Sequence, residues 1–329
     1  MKNLLITASS AKRLKHYLEP LSDSVQLYEM SDDGEIKYQG TTVQFDQLDI
    51  HLGWFNHDVI ASPINRDYAI AMLKSANLEW MQSLSAGLDD PFFKKLAAKG
   101  IRLSNSDAQA VPIAEYVVAA VLNRYQNFEL RKKFQLAKQW QENQFREIYD
   151  SNWLIVGYGN IGSRIGKRVT GFEGHVTGVK RTHAGSLPDA EKIITFDEIL
   201  QYLPQQDVVV LACALTDETS GIVDQQFLAA MKPGAIIVNI GRGDLINEKD
   251  LLNALNKDAL DYAILDVFQS EPLPTDSPFW QHARVMVTPH SSNKGTGTNA
   301  RGDELFVHNL KAYLEGSVLR NEVNTSSLI

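Results

Sequence analysis

The sequence predicts an α/β protein built of two doubly wound parallel-sheet domains, and three observations carry that expectation. Short apolar runs alternate with amphipathic stretches along the chain, the pattern of strands and helices when helices cover both faces of a parallel sheet. From Gly162 onward the apolar runs become continuous in Val, Ile and Leu, as strands covered on both sides require. The chain of 329 residues is also long enough for two cores of ordinary size.

In the N-terminal part, residues 4–8, 25–28 and 48–55 read as strands, with the amphipathic stretch 11–18 after the first of them. A helix over 67–76, a strand over 80–83, a helix over 91–98 and a strand over 101–104 follow, with Gly100 as the stop after the second helix. Residues 112–126 keep Ala114, Val117, Val118, Val121 and Leu122 at helical spacing and read as a connector between domains. The next stretch, 131–140, is charged and amphipathic, with Phe134 and Trp140 its large apolar groups; it is a candidate dimer arm or else a solvated segment. Strands are then expected at 175–179, 207–215, 235–240, 262–267 and 285–287. Helices lie between them at 197–202, 224–231 and 248–256, the last starting from Asn247 as N-cap with Asp250 in its first turn. Residues 299–314, with Leu305, Phe306, Leu310 and Leu314 apolar, should return to complete the first domain. The expected division is 1–104 plus 292–329 against 105–291.

The second domain opens on the segment that organises the chemistry. Leu154, Ile155 and Val156 make a short buried strand, Gly157, Gly159 and Gly162 give the G-x-G-x-x-G spacing, and residues 161–170 continue as a helix with Ile161, Ile165 and Val169 on one side. Glycines allow the sharp turn, the close approach of a pyrophosphate to the backbone and tight helix-on-strand packing. The helix start offers free N–H groups and the positive end of its dipole. A dinucleotide-binding Rossmann domain is therefore expected, with Gly157, Tyr158, Gly159, Asn160, Ile161 and Gly162 at the nucleotide.

Other classes are set aside by composition. The formal net charge is -8 and no Lys/Arg-rich run occurs, which argues against nucleic acid or an anionic membrane as partner. Cys213 is the single cysteine, so no intrachain disulfide forms, and a reducing cytoplasmic setting is the expectation. The apolar run near Met1 is too short for a signal peptide, and no apolar stretch reaches a membrane-spanning length of about 18 residues.

Ligands of an open parallel sheet bind beyond the carboxyl ends of its strands, and three reactive side chains follow such ends. Arg242 lies after 235–240, Glu271 shortly after 262–267, and His290 directly after 285–287 and Thr288-Pro289. Each alone could be a solvated turn residue; three together beside a nucleotide turn suit hydride transfer to a 2-keto acid. An arginine fork can hold the substrate carboxylate and polarise its carbonyl. A histidine can pass a proton to the carbonyl oxygen, and a glutamate beside it orients the ring and stabilises positive charge on it. No metal is called for.

Over essentially its whole length the chain resembles the D-isomer-specific 2-hydroxyacid dehydrogenase family. The resemblance rests on Ser85-Ala86-Gly87-Leu88-Asp89, Ala114-Glu115-Tyr116, the glycine turn, and residues 215–219 (Leu-Thr-Asp-Glu-Thr). It continues in residues 239–243 (Asn-Ile-Gly-Arg-Gly), 265–268 (Leu-Asp-Val-Phe), Glu271-Pro272-Leu273-Pro274 and Thr288-Pro289-His290, all in the family's order. It implies that Arg242, Glu271 and His290 are catalytic and that amides around Ser85, Ala86 and Gly87 hold the substrate carboxylate. It further implies that Ala214, Leu215, Thr219, Ile240 and Asp266 join the cofactor site, that the first domain is a flavodoxin-like substrate domain, and that the protein is a homodimer built around the connector helix.

An NAD site normally places an acidic residue about 20 positions past the glycine turn, where it accepts from the ribose 2′-hydroxyl. Here Lys180, Arg181 and Thr182 stand there instead and suit a 2′-phosphate, so NADP(H) is favoured with NAD(H) as the lesser option. Trp54, ending the third strand of the first domain, is expected to face the substrate, where phosphoglycerate dehydrogenases tend to carry an arginine-containing segment. Together with residues 271–280, which look most similar to those of glyoxylate/hydroxypyruvate reductases, this favours a small 2-keto acid. No C-terminal regulatory domain is expected after Ile329. The alternatives are an NAD-linked phosphoglycerate dehydrogenase and, in another class, an inactive nucleotide-sensing protein, which would have no need of the three catalytic side chains. Residues 291–294 (Ser-Ser-Asn-Lys) depart from the small apolar and glycine residues of many relatives.

Overall fold

The computed structural model describes residues 1–60, 62–182 and 187–328. The chain divides into two compact units, Met1–Gln109 with Thr296–Ile329, and Ala110–Gly295. These limits fall a few residues beyond 104 and 291. Residues 105–109 stay with the first unit because Asn105 Nδ2 donates to Ala86 O at 2.8 Å, Ser106 N to Ser85 O at 3.0 Å and Gln109 Nε2 to Leu84 O at 3.2 Å.

The first unit holds β1 (Lys2–Thr7), β2 (Val25–Met30), β3 (Ile36–Tyr38), β4 (Thr41–Thr42), β5 (Leu52–Phe55), β6 (Trp80–Ser83) and β7 (Arg102–Ser104), in the order β4-β3-β2-β1-β5-β6-β7. The five strands β2-β1-β5-β6-β7 are parallel and reproduce the flavodoxin-like order. The antiparallel β3 and β4 were not foreseen; Gln39 and Gly40 both take positive φ, 49° and 80°, which is the primed turn a tight hairpin needs.

Alternate strand residues feed two apolar layers. Leu5, Tyr28, Phe55 and Met81 face one side, and Leu4, Ile6, Leu52, Trp54 and Trp80 the other, where the helix Thr298–Leu314 lays Phe306, Val307 and Leu310 over them. The returning helix is pinned by charge as well: Arg13 Nε donates to Asp303 Oδ2 at 2.6 Å, and Arg13 Nη1 reaches Asp58 Oδ2 at 3.1 Å. Burial pushes the Asp58 carboxyl up, but the Ser10 hydroxyl at 2.6 Å, Arg13 and Ser9 outweigh it and hold the group below its ordinary value.

The second unit holds β8 (Asn152–Val156), β9 (His175–Val179), β10 (Lys192–Ile194), β11 (Val208–Leu211), β12 (Ile236–Asn239), β13 (Tyr262–Leu265) and β14 (Val285–Val287), all parallel, in the order β10-β9-β8-β11-β12-β13-β14. Counted along the chain, the order runs 3-2-1-4-5-6-7, the arrangement of a dinucleotide-binding sheet extended by one strand. Leu154, Val209, Ile237 and Ala263 face one core, while Trp153, Ile155, Val210 and Val238 face the other, where the helix Ala110–Gln126 packs with Val117 and Val121. Asn247 caps its helix as foreseen, accepting from Lys249 N and Asp250 N. Beyond the helix Phe128–Leu136, the chain to Tyr149 exposes Trp140, Phe145 and Tyr149. Among the described residues no helix is long and apolar enough to cross a membrane.

Candidate active site

In the second unit, β8 runs into Gly157 at φ 99°, a conformation that glycine alone adopts without strain. A Cβ at Gly157 would also lie 2.5 Å from Cys213 N, so the turn and the loop after β11 touch backbone to backbone. Gly162 is equally closed in, against Gly157 O. Gly159 differs: a Cβ there would meet nothing within 4 Å, and as N-cap of the helix Asn160–Gly171 it supplies no side chain to the first-turn N–H groups. Open space in front of an uncapped helix start is what a pyrophosphate fits. Asn160 is exposed and Ile161 half-buried beside that start.

Tyr158, by contrast, turns its ring inward. It is buried against Gly166 and Gly178 and donates to Asp189 O at 2.7 Å, so only its backbone is left to serve a nucleotide. Lys180 is half-buried at the end of β9, and Arg181 and Thr182 are exposed. Arg181 Nε lies 3.8 Å from Glu218 Oε2. Thr219 is buried and closes the loop after β11, accepting from Thr216 N at 2.8 Å and donating to Ala214 O at 2.8 Å; Ala214 is exposed and Leu215 half-buried. Burial raises the Cys213 thiol to about 11, which leaves it protonated at neutral pH.

The loops after β12, β13 and β14, three neighbouring strands, carry Arg242, Glu271 and His290. The buried Asn239 clamps the first of them, its Oδ1 accepting from Gly241 N at 3.1 Å and its Nδ2 donating to Arg242 O at 2.9 Å. Arg242 is half-buried and donates from Nη1 to Gly241 O at 2.8 Å, while Ile240 beside it is buried. Glu271 and His290 are brought together: Glu271 Oε2 meets His290 Nδ1 at 2.9 Å, and Glu271 Oε1 accepts from Phe268 N at 3.0 Å. The histidine ring is therefore held through Nδ1, and Nε2 is left for other chemistry. His290 sits at φ 49°, an unfavourable region for a side-chain-bearing residue, which is common where backbone strain serves a site. Asp266 is buried, and its Oδ1 accepts from Thr288 Oγ1 at 2.6 Å and Ser291 N at 2.9 Å, and its Oδ2 from Ser292 N at 3.0 Å. This carboxylate organises the histidine turn, and Ser291 and Ser292 contribute to it through their backbone. Among the described residues no group of His, Cys, Asp and Glu could hold a metal ion.

In the first unit, Ser85, Ala86 and Gly87 form a half-exposed loop after β6, with Ser85 N turned onto Ser83 Oγ at 3.0 Å. Among the described residues the Ala86 and Gly87 N–H groups have no acceptor. Trp54 contradicts its expected place. It is 1% exposed, its ring stacks on Phe306 at 4.8 Å and 5°, and its Nε1 donates to Asp303 Oδ1 at 3.3 Å. The side chain belongs to the core because Leu52 and Trp54 lie on the strand face that the C-terminal helix covers. Gly302, 3.7 Å from the Trp54 ring at its would-be Cβ, lets that helix come close.

Comparison with known proteins gives the family and the fold. Residues 118–292 match the family model for the NAD binding domain of D-isomer specific 2-hydroxyacid dehydrogenases. The chain belongs to the D-isomer specific 2-hydroxyacid dehydrogenase family. An Arabidopsis thaliana protein named glyoxylate/hydroxypyruvate reductase A is 30% identical over 251 residues, 75% of this chain and 79% of that protein. The crystal structure of a D-isomer specific 2-hydroxyacid dehydrogenase family protein from Aeromonas salmonicida matches 98% of both chains with a TM-score of 0.75 and 26% identity. An NADPH-dependent glyoxylate/hydroxypyruvate reductase from Sinorhizobium meliloti, solved with NADP and sulfate, shares the fold over 100% of both chains, with a TM-score of 0.77 at 18% identity. As a member of this family the protein is an NAD(P)-dependent 2-hydroxyacid dehydrogenase. For two residues the sequence showed the motif and not the bonds: Asn239, a buried amide ending an otherwise apolar strand that clamps the Arg242 loop, and Thr288, whose bonds to Tyr116 and Asp266 have no local signal.

Proposed function

We propose that the protein reduces a small 2-keto acid of the glyoxylate or hydroxypyruvate class to the D-2-hydroxy acid with NADPH, and that His290 is the acid/base. The Glu271–His290 pair, set on the carboxyl edge of a dinucleotide-binding sheet, is the observation that carries this reading. The Gly159 turn and the start of the helix Asn160–Gly171 would hold the cofactor by its pyrophosphate, and the reduced cofactor would supply the hydride. Arg242 lays its guanidinium fork on the substrate carboxylate and polarises the adjoining carbonyl. His290 gives the carbonyl oxygen its proton from Nε2, while Glu271 keeps the ring in place through Nδ1.

With Trp54 in the core, the small substrate is supported by residues 271–280 and by the name of the Arabidopsis relative rather than by an aromatic wall. NADPH is supported by Lys180, Arg181 and Thr182, and the Sinorhizobium protein of the same fold is solved with NADP. Initial rates with NADPH and NADH against glyoxylate, hydroxypyruvate, pyruvate and phosphohydroxypyruvate test both choices. Higher kcat/KM with NADPH on the small acids is expected, and Arg181→Ala should lower kcat/KM for NADPH on the order of 10-fold while sparing NADH, as the loss of one charge-assisted hydrogen bond would. Turnover confined to phosphohydroxypyruvate with NADH would overturn substrate and cofactor together.

The protein further acts as a homodimer in this reading, with the apolar side chains exposed from Phe128 to Tyr149 as its contact. Sedimentation equilibrium should return twice the 36.8 kDa chain mass, and Trp140→Glu should shift the protein toward that single-chain mass. A single-chain mass for the unaltered protein at micromolar concentration would rule the dimer out.

A further inference from the structure

The histidine turn is joined to the helix Ala110–Gln126 by a chain of hydroxyls that the mechanism above does not use. Tyr116 Oη and Thr288 Oγ1 are 2.7 Å apart, and Thr288 Oγ1 is 2.6 Å from Asp266 Oδ1. The proton positions follow from valence. Thr288 Oγ1 donates its single hydroxyl hydrogen to Asp266 Oδ1, so the Tyr116 hydroxyl must donate to Thr288. Asp266 then collects Ser291 N and Ser292 N on its carboxylate and His290 N on its carbonyl, the last at 2.8 Å. The sequence Tyr116, Thr288, Asp266 thus ends on three successive backbone amides, those of His290 and its two successors.

What such a chain must oppose is visible at its end. His290 is held at φ 49°, and left to itself a histidine would relax toward negative φ and swing its ring away from Glu271. Burial, the largest influence, raises the Tyr116 phenol to about 12 despite the opposing bond to Thr288, so its proton stays in place across any working pH.

We infer that Tyr116 and Thr288 are positioning residues for the reduction: through Asp266 they lock the turn that aims His290, making the helix Ala110–Gln126 a part of the active site's frame. The inference rests on the reading of His290 as acid/base. In this reading the two hydroxyls act only through Asp266, whose carboxylate both variants keep, so their removal should lower kcat and leave the KM for cofactor unchanged, since misaimed acid catalysis slows the step without weakening nucleotide binding.

The test compares Tyr116→Phe, Thr288→Val, Thr288→Ser, the Phe/Val double variant and His290→Ala, all in the full-length protein and assayed well below their unfolding midpoints. Tyr116→Phe and Thr288→Val should each lose kcat on the order of 10-fold, with cofactor KM within twofold of the parent. The double variant should be no worse than the poorer single one, because both cut one chain. Thr288→Ser, which keeps the hydroxyl, should restore most of the rate. Parental kcat in Tyr116→Phe, losses that multiply in the double variant, or Thr288→Ser as impaired as Thr288→Val would each overturn the inference, leaving the role of His290 standing if His290→Ala is inactive. Should His290→Ala retain its rate, the acid/base reading fails first and the positioning role with it.

Discussion

His290→Ala is expected to lower kcat by about 10²- to 10⁴-fold while cofactor still binds, the loss typical of removing a general acid. The ring is placed by Glu271 at Nδ1, and among the described residues of the second unit no other imidazole follows the carboxyl end of a strand. Folding should survive, because the ring is exposed and the turn is fixed by its backbone: His290 N donates to Asp266 O, and the two following amides to the Asp266 carboxylate. A nucleotide fluorescence titration alongside steady-state rates separates the two functions. Activity within tenfold of the parent would remove His290 from the mechanism, whereas loss of both activity and nucleotide binding would show that the side chain holds the loop.

Gly243→Ala is the second large expectation, and it acts through the backbone. A Cβ on Gly243 would sit inside the main chain of Phe268 and Gln269, where no rotamer change makes room. The loop Gly241–Arg242–Gly243 would have to leave the loop after β13, carrying the arginine with it and pulling on the clamp made by Asn239. A displacement near 1 Å at a substrate-holding group costs on the order of 100-fold in kcat/KM, and overpacking costs typically 1–3 kcal/mol of stability. The loss should fall on the keto acid, with cofactor affinity nearly unchanged, since the Gly159 turn lies after a different strand. An alanine variant with parental kcat/KM and melting temperature would show that the two loops part freely.

The strands and the glycine turn could be read from the sequence because local signals and tertiary demands agree there. Trp153, Leu154, Ile155 and Val156 must be apolar on both faces, and only a covered parallel sheet accepts such a run. Glu271 and His290 were legible for a related reason: each follows a strand closely, and neighbouring parallel strands deliver their ends to one edge. Trp54 misled because the same logic holds for position and not for direction. It lies one residue before the end of its strand, but whether such a side chain points to the edge or into the core depends on what covers that face, and Phe306 and Asp303 arrive from the far end of the chain. The hairpin of β3 and β4 escaped notice because its strands are three and two residues long, shorter than any periodicity can reveal. The bond from Tyr116 to Thr288 joins positions 172 residues apart, and nothing in either neighbourhood announces the other.

The stacking of Trp54 on Phe306 also bears on the order in which the protein is made. The second unit is one continuous segment and has all its strands once Gly295 has left the ribosome. The first unit emerges earlier, yet the face of its sheet with Trp54, Trp80 and Leu4 lacks Phe306, Val307 and Leu310 until residues 298–314 have been synthesised. At about 5–20 residues per second, the roughly 250 residues between Trp54 and its cover amount to a wait of about ten seconds to a minute. During that interval Trp54 and Trp80 lack the ring on which both stack, that of Phe306. Birth order and folding order are thus reversed: the unit that begins the polypeptide is the last to be finished.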